Sequence, residues 1–195
     1  MREVELKAVV TNVERARKRL SGAGASIEFE GALEDRRYDT ADGALSGRDE
    51  VIRVRTYRSA SGSRTLLDWK GPADTKTGYK VREEISTEIS DARALTTMLD
   101  KLGYVVTREI DRRVVQYEIG GATVRFESYP RMDELVEVEG DSEAIERAIE
   151  LLGMARGEFS SDTLAAFVAR FERRTGVRAA VSERELAGDY TATAD

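Results

Sequence analysis

Charged and apolar residues alternate one by one in several well-separated stretches of this chain, and like charges are grouped within them. The first stretch is Glu3-Val4-Glu5-Leu6-Lys7. Others are Ile52-Arg53-Val54-Arg55, the run Lys80-x-Arg82-x-Glu84, Arg125-x-Glu127, and Val136-Glu137-Val138-Glu139. Successive side chains of a strand point to opposite faces, so each stretch, as a strand, carries its charges on one face and its apolar residues on the other. In an ordinary half-buried sheet the charged face is solvated and the apolar face is the core, and that reading fits any one stretch. Solvated faces usually mix signs, because like charges side by side destabilise a sheet. Here acids gather at Glu3/Glu5 and Glu137/Glu139, and bases at Arg53/Arg55 and Lys80/Arg82. The alternative is an inside-out barrel, whose charged faces line a lumen and whose apolar faces pack under helices. Carboxylate oxygens suit hard divalent cations, and Arg/Lys clusters suit phosphates. Parity alone does not say which face is inside.

Strands are expected near 2–10, 26–38, 50–58, 64–70, 79–89, 104–119, 122–129 and 134–139. Turn chemistry separates them at Ala41-Asp42-Gly43, at residues 59–63, at Gly71-Pro72 and at Gly120-Gly121, the last a strong hairpin signal. Helices are expected over 13–22, 91–102, 142–152 and 162–175. Their caps are Thr11 or Asn12, Ser90 or Asp91, and Asp141 or Ser142, and Ile145, Ile149 and Leu152 form one apolar stripe. A helix ending in Gly followed by strands occurs twice, a faint internal duplication. Antiparallel strands at this density with helices outside predict an α+β fold, an antiparallel eight-stranded barrel clad by helices. The organisation expected is one domain over 1–176 and a polar, loosely ordered tail over 177–195.

The 195 residues are 41% hydrophobic and 35% charged, as in a soluble globular domain. The net charge of −6 argues against general nucleic-acid binding, while local basic clusters suit a small polyanion. No membrane span or signal peptide is recognisable, so cytoplasm is the default location. The chain has no Cys and no His, which removes thiolate nucleophiles, disulfides, the commonest general base and the commonest transition-metal ligand. A metal must therefore be held mainly by oxygens, which favours Mg²⁺ or Mn²⁺.

At these residues the chain resembles the CYTH superfamily, the triphosphate tunnel metalloenzymes, over roughly residues 1–155. Glu3-Val4-Glu5-Leu6-Lys7 matches the ExExK signature. Asp35 to Thr40 looks like the D-x-Y-Y-D-T segment, with Arg37 where an aromatic is usual. Ile52 to Arg55 matches L-R-x-R, and Lys70-Gly71-Pro72 matches K-G-P. Lys80 to Glu84 resembles R-x-E-x-E, with Ser86 at the place of the final Glu. Arg112-Arg113 falls at a K-x-R pair, where the apolar face of Val115, Tyr117 and Ile119 is shared with Arg113. Phe126-Glu127 resembles an L-D strand, and Glu137-x-Glu139 matches the closing E-x-E, preceded by Met132-Asp133 in place of Leu-Gly. The stretch from Gly78 to Glu84 is most similar to the class IV adenylate cyclase branch.

The resemblance implies a tunnel that binds a nucleoside, organic or inorganic triphosphate with Mg²⁺ or Mn²⁺. The triphosphate would be held by Lys7, Arg53, Arg55, Lys70, Lys80, Arg82, Arg112, Arg113 and Arg125, with Lys7, Lys70 and Arg55 in catalysis. The metal would fall to Glu3, Glu5, Glu84, Glu127, Glu137 and Glu139. Tyr38 and Trp69 are expected to be packing residues, and Asp39 to shape a turn. The activity implied is cyclisation of ATP to cyclic AMP and pyrophosphate. The alternatives are hydrolysis of thiamine triphosphate or tripolyphosphate, and non-catalytic nucleotide or polyphosphate binding. No nucleic-acid or membrane partner is expected, and a homodimer is compatible with the sequence.

Overall fold

The computed structural model describes residues 2–74 and 79–190; the side chains of Arg2 and Glu3 also lie outside the described set, as does Gly78. Eight antiparallel strands close into a barrel: β1 (Arg2–Val9), β2 (Ser26–Thr40), β3 (Val51–Ser59), β4 (Gly62–Lys70), β5 (Lys80–Ile89), β6 (Tyr104–Ile119), β7 (Ala122–Ser128) and β8 (Leu135–Glu139). Their order around the barrel is β1-β5-β4-β3-β2-β6-β7-β8, and β8 pairs with β1 to complete it. Closure leaves no free edge along the ring. The hairpin expected at Gly120-Gly121 joins β6 to β7. Both glycines have positive φ, 56° and 83°, as a tight turn matched to strand twist requires.

The apolar faces point outward. Leu6 and Ala8 of β1, Val124 of β7, and Val136 and Val138 of β8 pack against Ala16 and Leu20 of α1 (Val13–Gly22) and Ile145, Ala148 and Ile149 of α3 (Ser142–Leu152). Val4 packs against the same cluster. On the opposite side, Val54 and Tyr38, with Ile52 and Leu67, meet Leu99 and Leu95 of α2 (Ala92–Lys101). Tyr38 is thus a packing residue, as expected. Burying each large aliphatic side chain contributes roughly 1.5–3 kcal/mol, so these two outer layers are the protein's main apolar core. Each helix begins at a side-chain cap: Asn12 accepts from Arg15 N at 2.9 Å, Asp91 from Ala94 N at 2.9 Å and Asp141 from Ala144 N at 2.8 Å.

A smaller apolar cluster lies inside the barrel. Leu33 on β2, Tyr57 on β3 and Val114 on β6, with Phe29 and Leu66, share the strand faces that carry the lumen charges and fill one end of the lumen. Phe29 and Tyr57 meet edge to face at 5.0 Å. The tunnel is plugged there.

Residues 177–190 differ from the loosely ordered tail expected. After α4 (Leu164–Thr175) the chain returns to the barrel, and Ala179, Ala180 and Val181 are buried. Ala180 pairs with Arg131, Asp111 N donates to Val181 O at 2.8 Å, and a short helix α5 (Glu183–Leu186) follows. β7 pairs with β6 only from Arg113 onward, so this segment satisfies backbone groups of β6 that β7 leaves over. Three small apolar residues are too short a signal to show as periodicity. Residues 191–195 lie outside the described set.

Candidate functional site

Pleat alternation brings the charged faces into one lumen. β1 contributes Glu5 and Lys7, β2 Asp35 and Arg37, and β3 Arg53 and Arg55. β4 and β5 add Lys70, Lys80 and Arg82, while Arg112, Arg125, Glu127 and Glu137 come from β6, β7 and β8. Leu164, the first residue of α4, also lines this space. Acids and bases are interleaved across strands and neutralise one another in three connected groups.

The first group centres on Asp35, which is 1% exposed. It accepts from Arg55 Nε at 2.8 Å and Nη2 at 3.2 Å, and from Arg112 Nη1 at 3.1 Å, with Arg53 at 3.6 Å. Arg112 also donates to Glu127 at 2.8 Å, and the Tyr129 hydroxyl donates to the other oxygen of Glu127 at 2.7 Å. In the second, Arg53 donates to Asp68 at 2.6 and 3.0 Å. Ser86 Oγ donates to Asp68 at 2.6 Å, and Glu84 lies 3.0 Å from Lys70 and 3.5 Å from Arg53. Ser86 thus places a hydroxyl donor, in place of another carboxylate, beside Asp68. In the third, Lys7 bridges Glu5, at 3.3 Å, and Glu137; Glu137 accepts from Arg125 at 2.6 Å, and Lys80 donates to Glu5.

Burial disfavours these charges, and the opposite charges around them outweigh it. Burial pushes the Asp35 carboxyl up, but Arg55, Arg112 and Arg53 hold it well below the usual carboxylate range. Glu137 is likewise raised by burial and lowered further by Lys7 and Arg125. Burial lowers the Lys7 pKa, yet Glu137 and Glu5 raise it above the usual lysine value. Lys80 is depressed by burial, which Glu5 only partly opposes while Lys7 adds to it.

The sign of the pH dependence follows from linkage. A depressed carboxyl binds fewer protons in the folded state than in the unfolded chain, so Asp35 and Glu137 stabilise fully above roughly pH 4 and lose that contribution below it. A raised lysine stabilises fully below roughly pH 10 and loses it above. Urea unfolding is therefore expected to give a broad plateau across neutral pH and a steep loss below about pH 4. An acid limb as shallow as that of an Asp35→Asn variant would count against this assignment.

The remaining residues singled out in the sequence divide as follows. Arg82 is buried and faces the lumen, and it donates to the carbonyls of Gly71 and Asp49, so it also ties down the turn after Lys70. Arg113 does not join the others. It is exposed on the outer face, because Arg112 takes the inward position and one residue along a strand reverses the side. Glu139, the last residue of β8, shares Glu137's parity one pleat further on and lies opposite Glu5 in the ladder. The backbone of Glu3 pairs with Arg82, and its side chain lies outside the described residues. Asp39 shapes a turn, as expected: burial raises its pKa, but donors from Leu45, Ser46 and Thr40 lower it to about 2.

Asp68, Arg108 and Tyr129 were not singled out from the sequence, and Asp35 and Arg37 were noted only as motif positions. The signal existed for most of them. Asp68 lies two residues before Lys70, Asp35 and Arg37 share one parity, and Arg108 shares that of Arg112.

A divalent cation fits the oxygen-only donor chemistry of Glu5 and Glu137, which approach one another around Lys7. No group of three acidic residues able to hold a metal gathers among the described residues. Mg²⁺ needs no such cage, since it keeps several waters and takes one or two carboxylates with substrate phosphates.

Among solved structures, the fold is similar to that of an adenylate cyclase candidate from Vibrio parahaemolyticus (TM-score 0.73, 18% identity, covering 86% of this chain and 97% of that one). It is also similar to a Pyrococcus horikoshii protein (TM-score 0.69, 17% identity, covering 85% and 98%). A third likeness is to a candidate adenylyl cyclase from Hippeastrum with a dominant triphosphatase activity (TM-score 0.58, 15% identity, covering 90% and 95%). At these identities the likeness is one of fold. No protein of curated function is a significant match in sequence. The CYTH domain matches residues 1–153, from β1 through α3, and therefore covers the whole barrel. The chain belongs to the CYTH domain family.

Proposed function

We propose that this protein is a divalent-metal-dependent enzyme that holds a triphosphate in the barrel lumen and cleaves one of its phosphoanhydride bonds. The observation that carries this is the convergence of Lys7, Arg53, Arg55, Lys80, Arg112 and Arg125 on one largely buried space, from five strands of the wall. Arginines engage phosphoryl oxygens bidentately, and the lysines act as compact charges. With its pKa raised, Lys7 stays protonated through the neutral range and serves as a charge rather than a base. Charge accumulating on phosphoryl oxygens is neutralised by groups already in place, which is the main contribution a protein makes to phosphoryl transfer. A cation held by Glu5 and Glu137 would supply further positive charge at the same oxygens.

The finer reading is cyclisation, in which the ribose 3′-oxygen bonds to the α-phosphorus, the α–β anhydride breaks and pyrophosphate leaves. The similarity of the stretch from Gly78 to Glu84 to the class IV cyclase branch supports it. A second reading, attack of water on the terminal phosphorus, is favoured by one observation. Phe29 and Tyr57 are packed against each other in the plug, and the basic groups that line the rest of the lumen suit phosphates better than a base.

The deciding experiment is a product assay with ATP, thiamine triphosphate and tripolyphosphate in Mg²⁺ or Mn²⁺. Turnover is expected to disappear with a chelator and in Glu5→Gln and Glu137→Gln, while both variants stay folded by circular dichroism. Full activity in chelator, or in both variants, would remove the proposed metal role. Tight metal-dependent binding without turnover would leave a binding protein.

A further inference from the structure

One pair of lumen cations stands outside the three neutralised groups. Arg37 faces the lumen from β2, and its register partners are Arg53 on β3 and Arg108 on β6. Three guanidinium-bearing residues therefore stand side by side on adjacent strands, an arrangement that disfavours the sheet unless something neutralises it. Arg53 has Asp68. Among the described residues, Arg37 and Arg108 have no such partner: the Nε of each is buried without a hydrogen bond, and neither forms an ion pair. Of the acids two residues away along β2, Asp35 is already engaged by Arg55 and Arg112, and Asp39 by the backbone N–H groups of Thr40, Leu45 and Ser46. Burial, and then the charges of Arg108 and Arg53, depress the Arg37 pKa to about 10.

A local device aims Arg108 inward. The β2–β6 register slips between Arg37 and Tyr38, so that Thr107 is an extra residue on β6. Val106 packs outward against the α2 cluster, whereas Arg108, only two residues on, shares the face of lumen-lining Ile110. Along β2 the lumen face runs from Leu33 in the plug through Asp35 to Arg37, so the pair lies toward the end of the lumen away from the plug. The chain also carries Arg37 where the family resemblance calls for an aromatic residue.

We propose that Arg37 and Arg108 form an anion subsite toward the open mouth of the lumen, which takes one phosphoryl group beyond those held around Arg55 and Arg112. Two guanidiniums on neighbouring strands, each with its Nε buried and unpaired among the described residues, match the several oxygens of a phosphoryl group. The phosphoryl group is either the mouth-side unit of a phosphate chain or free orthophosphate. This rests on the reading of the lumen as a phosphate cradle.

The test is calorimetric titration with ortho-, pyro-, tri- and tetrapolyphosphate in Mg²⁺, on the parent, Arg37→Met, Arg108→Met, Arg37→Lys and Arg55→Met. Affinity in the parent is expected to rise by about tenfold or more at one particular chain length. Each Met variant should erase that step, and Arg37→Lys should keep part of it. Orthophosphate binding by the parent that the Met variants lose identifies free phosphate as the ligand; a step at a longer chain identifies its mouth-side unit. Without ligand the Met variants should melt no lower than the parent, because the uncompensated charge is removed and the aliphatic stem kept. Met variants that keep the step, or that weaken every chain length by one common factor, overturn the subsite. A parent that binds none of the four overturns the cradle and the subsite together. Arg55→Met, by contrast, should weaken every phosphate that binds and leave the step in place.

Discussion

Asp35→Asn is expected to destabilise the ligand-free protein by about 3–5 kcal/mol, because it leaves buried guanidiniums without their counter-ion. Arg55 and Arg112 both donate to this carboxylate, which is almost completely buried, and Arg53 lies beside it. The loss should appear as a lower urea midpoint with an unchanged slope. A polyanion that binds the folded lumen should return part of it, by about 2.7 kcal/mol at a hundred times its Kd. An Asp35→Asn variant as stable as the parent would mean that these arginines find water or other partners at no cost, and the lumen would not depend on Asp35.

Arg55→Met is expected to lower turnover about a hundredfold while leaving the fold intact, since the loss of a charge-assisted contact to a phosphoryl oxygen amounts to a few kcal/mol. Folding should suffer less than in Asp35→Asn, because Asp35 keeps Arg112 and has Arg53 nearby. Arg147→Ala is the control. Its side chain is half exposed and, among the described residues, pairs only with exposed Glu143 one helical turn away and with the Gly120 carbonyl. If Arg55→Met and Arg147→Ala have equal rates, the strand charges are ordinary structural ion pairs.

Most of the barrel was legible because both of its faces leave a trace in sequence. Alternation marks a strand, and grouped like charges mark a face that cannot be plain solvent surface; the helices then need the other face. Leu6, Val54 and Val138 did turn outward under helices, as grouping of the charges required. What stayed hidden depends on contacts between distant strands. Asp35 and Asp68 look like motif or turn residues until pairing sets them beside Arg55 and Arg53. The inward aim of Arg108 close to outward Val106 depends on a bulge, which no periodicity predicts. The Ala179–Val181 anchor is hidden for a different reason: three small residues carry too little hydrophobic signal to stand out from a polar tail.

The apolar plug of Leu33, Tyr57 and Val114 turns the barrel from a corridor into a cul-de-sac. A chain of phosphates entering by the mouth must go in end first, and whatever lies deepest can leave only after the part nearer the mouth has moved. Release then becomes single file, last in and first out. A fragment split off beside the plug would compete with the next substrate molecule from behind rather than in front. Under the phosphate reading, the deeper product leaves last and should inhibit competitively with substrate, while the mouth-side product should give mixed inhibition, and a Leu33→Ala or Tyr57→Ala opening should remove that difference between the two products.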